Sequence, residues 1–267
     1  MESLEDILIC PKTGKRISFD FENSEVKVKE TDISYPIRDG IIGFLPTIED
    51  RISKAYNSRA SSYNHYITSS NMYWKLLNLI FWGLARHRGY TREVLACIPD
   101  DFEGVLLDVP VGTGILTLEK YMKLKKARII ALDYSFNMLL RAKQLYAENG
   151  IMNVTLVRGD VGNLPIDDAK VDLCLSMNGF HAFAEKDLAL REIWRVLRHS
   201  GRFTGCFYIS GKRKLTDFLV RNTLSKRGAF AAPFYDEAEA LSRFDEYFNI
   251  QSTANLKSFF YFDMEKK

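Results

Sequence analysis

The sequence predicts an α/β protein: a mostly parallel sheet with helices on both faces, preceded by a small strand-rich appendage. Three observations carry this expectation. From Gly104 onward, short and almost wholly apolar runs alternate with segments of helical spacing, as strands buried on both faces and their crossover helices do. Residues 1–50 instead hold short β-like pieces parted by turn residues. Hydrophobic residues make up 46% of the 267, enough to bury one large core plus an appendage.

The elements follow in order. The appendage pieces are Ile17–Phe19, Val26–Val28, Ile33–Ile37 and Ile41–Leu45, broken by Gly14, Asp20, Asn23 and Asp39-Gly40. Residues 51–100 read as a helical lid segment with aromatics at Tyr56, Tyr63, Tyr66, Tyr73 and Trp74. The core, 101–267, opens with a strand at Val105–Asp108 and a helix near Thr113–Lys126 that puts Ile115, Leu118 and Met122 on one face. Arg128–Asp133 is the second strand. Ser135 can cap the next helix, whose Met138, Ala142 and Leu145 share a face and which Gly150 can end. Val154–Arg158 and Val171–Ser176 are the third and fourth strands. A helix over Asp187–Arg198 turns Ala189, Ile193 and Val196 inward and stops at Ser200-Gly201, before the fifth strand, Phe203–Ile209. A cap over about 211–235 follows, and Asn249–Leu256 with Ser258–Asp263 form an antiparallel pair.

Composition narrows the function. The 37 basic and 34 acidic residues leave only +3, which argues against a dedicated nucleic-acid binder. Cys10, Cys97, Cys174 and Cys206 are far apart and form no metal-ligand pattern, so no metal is expected and free thiols in a reducing compartment are. The start, MESLEDILICPK, has no basic-then-apolar signal. The longest apolar run, Leu76–Ala85, would rise only ~15 Å as a helix, half of a bilayer core, so no membrane span and a cytoplasmic protein are predicted. Oligomeric state has no signature here.

The chemistry lies in VLLDVPVGTGILTL, residues 105–118. A Gly-x-Gly turn between strand and helix lets backbone amides approach a ligand at a helix N-terminus. A dinucleotide fingerprint fits in part: Thr117 stands where a third small residue belongs, although Asp133 lies at a suitable distance. An acid followed by a Gly-rich turn fits better. Asp108, Gly112 and Gly114 in this order resemble the first motif of class I S-adenosylmethionine-dependent methyltransferases.

Further stretches resemble that family in the right order. Asp133, ahead of Tyr134 and Ser135, matches the acid that holds both ribose hydroxyls, and the resemblance places Tyr134 against adenine. Gly159-Asp160-Val161 with Leu164-Pro165 resembles its "GD…LP" segment, in which the Asp takes the adenine amino group. Val171–Asn178 resembles the motif lining the methyl-transfer site, and Arg191–Gly201 the "E…RVLKPGG" helix and turn, with His199-Ser200 in place of Pro-Gly. The resemblance implies a Rossmann-like, seven-stranded, mostly parallel sheet and S-adenosylmethionine as cofactor. Pro110 departs from the usual glycine; it lacks an N–H and fixes φ near −65°, leaving Gly112 and Gly114 the close approach.

Ala55–Asn64 resembles the segment that folds over the cofactor in ubiquinone/menaquinone C-methyltransferases, which makes Tyr63 a cofactor-site residue; Asn64 replaces the usual Asp. His181, just past the fourth strand, is the candidate base for an acceptor beside Asn178. From Arg202 to Arg227 seven basic residues (Arg202, Lys212, Arg213, Lys214, Arg221, Lys226, Arg227) face one acid, Asp217, so the cap suits an anionic or amphiphilic acceptor. Cys10-Pro11 with Tyr35–Leu45 resembles zinc-ribbon-like leaders of some methyltransferases, here without the metal ligands. The expected activity is methyl transfer to a small-molecule acceptor. An RNA methyltransferase and a non-catalytic partner protein of the same fold are the alternatives.

Overall fold

A computed structural model of the chain describes residues 2–46, 87–226 and 229–267. The lid positions Tyr56, Tyr63 and Asn64, and the run Leu76–Ala85, lie outside the described residues, as does Arg227 of the cap.

A short helix α1 (Leu4–Ile7), capped reciprocally by Ser3 and Asp6, leads into β1 (Ile17–Asp20), β2 (Glu25–Val28), β3 (Ser34–Arg38) and β4 (Ile41–Gly43). Asp39 and Gly40 both take positive φ, the two-residue turn whose twist suits a hairpin, and so set the Ile37–Ile42 register. The core then runs α2 (His87–Ala96), β5 (Val105–Asp108), α3 (Leu118–Tyr121), β6 (Arg128–Asp133), α4 (Phe136–Glu148), β7 (Val154–Arg158) and β8 (Val171–Met177). It continues with α5 (Lys186–Val196), β9 (Leu197–Tyr208), α6 (Lys214–Leu219), α7 (Glu237–Asp245), β10 (Phe248–Leu256) and β11 (Phe259–Lys266).

Among the described residues eleven strands form one sheet in the order β1-β2-β3-β4-β7-β6-β5-β8-β9-β11-β10. The stretch from β7 to β10 is the expected seven-stranded unit: β5 to β9 are parallel, and β11 lies antiparallel to β9. The appendage is a continuation of that sheet, because β4 pairs parallel with β7, Ile41 opposite Leu156.

Alternation along the strands divides the interior in two. Leu106, Ile129, Ala131, Leu173, Leu175, Cys206 and Tyr208 face a core closed by α2 and α4. Leu107, Ile130, Leu132, Cys174, Phe203 and Phe207 face a second, which also holds α5, α7 and the apolar side of the appendage: Ile7, Leu8, Ile17, Val26 and Tyr35. Cys10 is buried there, its sulfur 3.3 Å from the Tyr35 hydroxyl.

Two expectations are corrected. The helix expected over 113–126 is one turn, Leu118–Tyr121, because Gly112 and Gly114 hold positive φ and the chain up to Thr117 stays in turns; Met122 is exposed, not inward. The helix expected to stop at Ser200-Gly201 ends at Val196, and β9 already begins at Leu197. Ser135 does cap α4, accepting from the Met138 amide, and Gly150 follows that helix at positive φ. No helix among the described residues is long and apolar enough to cross a membrane.

Phe244 of α7 is the centre of the second core. It is fully buried, with ring centroids of Phe180, Phe207 and Phe262 between 5.1 and 5.9 Å away. Phe244→Ala should cost about 3–5 kcal/mol through lost contact and a cavity the sheet cannot fill. Urea unfolding followed by fluorescence measures this; a loss below about 1 kcal/mol would mean that α7 does not anchor the sheet.

Candidate functional site

In a parallel sheet the direction of crossover reverses once, and the loops leaving the strand ends on either side of that point splay apart to leave a crevice. Here β6 lies on one side of β5 and β8 on the other. The loops after β5, β6, β7 and β8 therefore carry Gly112 and Gly114, Tyr134, Asp160 and Asn178 towards one end of the sheet, where Asp108 and Asp133 terminate their strands.

Asp133 joins two of these loops. One carboxylate oxygen accepts from the Gly112 amide (2.8 Å), the other from the Ser135 amide (2.8 Å). Burial pushes its carboxyl up to about 6 against the pull of those amides. A carboxylate offers about four lone-pair sites, and the Tyr134 amide adds its pull to those two, which still leaves acceptor capacity for a ligand.

Asp108 is wholly buried. Tyr121 donates to one oxygen at 2.6 Å, and the other, Oδ1, has no partner within bonding distance among the described residues. Burial pushes this carboxyl up to about 7; the Tyr121 and Thr117 hydroxyls oppose the rise and the charge of Asp133 adds to it. Two interacting carboxyls thus sit beneath the Gly-rich turn with raised pKa values, as charge-stabilising sites often do.

The turn itself is shaped by its two glycines. Gly114, at φ +74°, lies against Tyr146, where a Cβ would stand 2.4 Å from the hydroxyl. Gly112, at φ +59°, faces open space, with nothing within 4 Å of a Cβ among the described residues. Its bare backbone and the orphaned oxygen of Asp108 fit a ligand that brings a cation and needs close approach. Pro110 has a definite place: its ring fills the gap over Gly179, whose Cβ would stand 1.9 Å from the Pro110 Cδ. The proline thus locks the turn after β5 onto the loop after β8.

On the next loop Asp160 is exposed and accepts from the Gly162 amide at 2.9 Å, and Val161 is half-buried. The appendage braces this edge. Arg158 donates to the carbonyls of Tyr134 (3.2 Å) and Pro46 (3.1 Å), Asn163 to that of Pro11, and the Ile9 amide to that of Pro165.

Beyond β8, Asn178 takes positive φ and accepts from the Cys206 thiol at 3.4 Å. His181 lies on the next turn, buried and stacked on Phe230 with centroids 4.1 Å apart. Its Nδ1 accepts from the Tyr208 amide (3.3 Å), which leaves the ring proton on Nε2. Burial, aided by the Lys186 charge, brings its pKa down to about 3.

Sequence reasoning missed two partners. Tyr121 fell within the expected helix with no role of its own. Lys186 lay just outside the helix expected from Asp187. It is buried, donating to the carbonyls of Phe183 (2.9 Å) and Ala231 (2.8 Å), and burial brings its ammonium down to about 8. With His181, Tyr208, Phe234 and Tyr235 it borders a narrow crevice.

The raised pKa of Asp108 fixes the sign of a stability effect. The native carboxyl holds its proton to about pH 7, whereas an unfolded one loses it near 4, so rising pH across that window favours unfolding. Asp108→Asn resembles the protonated form, keeps an acceptor for Tyr121 and removes this loss. Its gain in stability over the native chain should be near zero at pH 4 and reach on the order of 2–4 kcal/mol at pH 8. Paired urea titrations at the two pH values decide it: a gain that does not grow with pH would place the ionised carboxylate in a well-solvated site.

Comparison with known proteins agrees with this geometry. Residues 106–201 match the methyltransferase domain family. A demethylmenaquinone methyltransferase of Thermobifida fusca is 34% identical over 132 residues, 49% of this chain and 54% of that protein. Another, from Staphylococcus epidermidis, is 29% identical over 200 residues, 72% of this chain and 79% of that one. The chain spans between 31% and 54% of the length of the curated relatives it matches at 34% identity. Among solved structures, a SAM-dependent methyltransferase from Aquifex aeolicus shares the fold at a TM-score of 0.56 and 17% identity, covering 78% of this chain and 98% of that one. Residues 106–201 are thus similar to a methyltransferase domain, and the sheet that carries them shares its fold with a solved SAM-dependent methyltransferase.

Proposed function

We propose that this chain catalyses S-adenosylmethionine-dependent methyl transfer to a small-molecule acceptor. The observation that carries this reading is the Asp133–Gly112 bond, which holds a carboxylate with spare acceptor sites against a bare glycine backbone at the switch point. Asp133 would take the ribose hydroxyls, Asp108 the ammonium of the methionyl end, and Asp160 the adenine amino group, with Tyr134 and Val161 bordering the base. Gly112 and Gly114 let the chain pass close beneath. The cofactor, when bound, supplies a methyl group already activated on a sulfonium.

What remains for the protein is positioning and exclusion of water. Asn178 borders the acceptor side. A neutral His181 with its proton on Nε2 suits orientation of an acceptor oxygen by donation better than removal of a proton, since its pKa lies far below neutrality. The demethylmenaquinone methyltransferases among the relatives support an aromatic, quinone-like acceptor as the narrower reading. The mild net charge favours a small molecule over RNA.

Calorimetry with S-adenosylhomocysteine tests the assignment. Binding at micromolar strength is expected, and Asp133→Ala should weaken it about a hundredfold, the worth of two hydrogen bonds to a charged group. Affinity should also fall by up to about a hundredfold from pH 8 to pH 5.5, because protonation of Asp133 near 6 and Asp108 near 7 removes the charges the ligand meets. Absence of binding to the native chain would remove the proposal.

A further inference from the structure

The segment after β9 has two unlike faces. Inward, Thr216 and Val220 are buried, and Asp217, the only acid between Ser210 and Lys226, accepts from the Tyr208 hydroxyl (2.6 Å) and the Gly211 amide (3.0 Å). Outward, α6 presents Leu215 and Phe218, 50% and 61% exposed and three positions apart, hence on one side of the helix. Lys214 and Lys226, on the same segment, are exposed as well, whereas the exposed Arg221 lies over the ring of Phe234. Lys212 is tied to Glu237, and Arg213 turns a guanidinium nitrogen into the interior, so neither adds to this face. The arrangement withdraws the negative charge and leaves large apolar side chains among cations.

We propose that this outer face docks on the surface of an anionic lipid bilayer. Leu215 and Phe218 enter the headgroup boundary while Lys214 and Lys226 meet the lipid anions. Charge complementarity selects this partner among anionic ones. A nucleic-acid backbone would use the cations but give Leu215 and Phe218 nothing to enter, and a stable protein interface needs about 800 Å² per partner, far more than two side chains provide. The inner side of the same segment borders the crevice of His181: Arg221 lies 5.5 Å over the ring of Phe234, which lines it. The docking itself goes beyond the methyl-transfer reading and does not depend on it.

Vesicle flotation of the full chain tests the proposal, with phosphatidylglycerol–phosphatidylcholine vesicles beside phosphatidylcholine alone. Binding to the mixed vesicles should be about tenfold or more stronger and should weaken with salt. L215S/F218S and K214E/K226E should each lower it about tenfold or more. Calorimetry with S-adenosylhomocysteine on each variant should give the native affinity, which shows that the fold is intact. No flotation with anionic vesicles, or native binding by L215S/F218S, overturns the proposal. So does binding that only the charge variant loses and that RNA competes away, which would assign the face to nucleic acid. A native chain that floats but binds no S-adenosylhomocysteine would overturn the methyl-transfer reading alone.

Discussion

A buried carboxylate must find donors, and Asp133 takes them from two loops, the Gly112 amide on one and the Tyr134 and Ser135 amides on the other. Each bond to a charged group is worth about 1.5–3 kcal/mol, enough to hold a surface loop in one conformation. The consequences run outward from that pin. Gly112 must turn its N–H towards β6, which requires the positive φ it has. Ser135 must begin α4 where it does, with its own hydroxyl on the Met138 amide. The end of β6 and the turn after β5 are thereby tied together on one side of the switch point, and the carboxylate keeps acceptor capacity.

Small residues fix the remaining geometry. Gly114 admits Tyr146, and Gly179 admits the ring of Pro110, so the turn is held from both flanks by contacts that a single methyl group would break. Asp108 differs from Asp133 in having one strong donor, Tyr121, and an oxygen without a partner among the described residues. That imbalance is unfavourable for folding and useful for binding, since the unmet demand is for positive charge or a donor. The two carboxyls also raise the cost of each other's ionisation, so protonation of one and occupation of the site are coupled.

The parallel strands were legible because strands buried on both faces must be written as apolar runs. VLLD and RIIALD have no other reading in a chain this size, and their ends matched the structure. The turn beyond β5 misled because Ile115, Leu118 and Met122 keep helical spacing, while the two glycines upstream hold backbone angles that no helix continues. Of the proposed cofactor-site residues, Asp108, Gly112, Gly114 and Asp133 could be placed from sequence because each belongs to a strand end or its turn. Tyr121 and Lys186 could not, since their roles depend on partners brought near by folding: Asp108 for the first, the carbonyls of Phe183 and Ala231 for the second. Sequence gives a side chain's chemistry readily and its company only when the company is local.

The pairing of β4 with β7 has a consequence for how the chain is made. Ile41 finds its partner at Leu156, 115 positions later (156 − 41). At about 5–20 residues per second, the open edge of β4 emerges from the ribosome some ~6–23 s before the strand that covers it. For that time a nascent strand with unsatisfied amides depends on its own hairpin and on solvent. The three-residue length of β4, Ile41–Gly43, keeps such a template short.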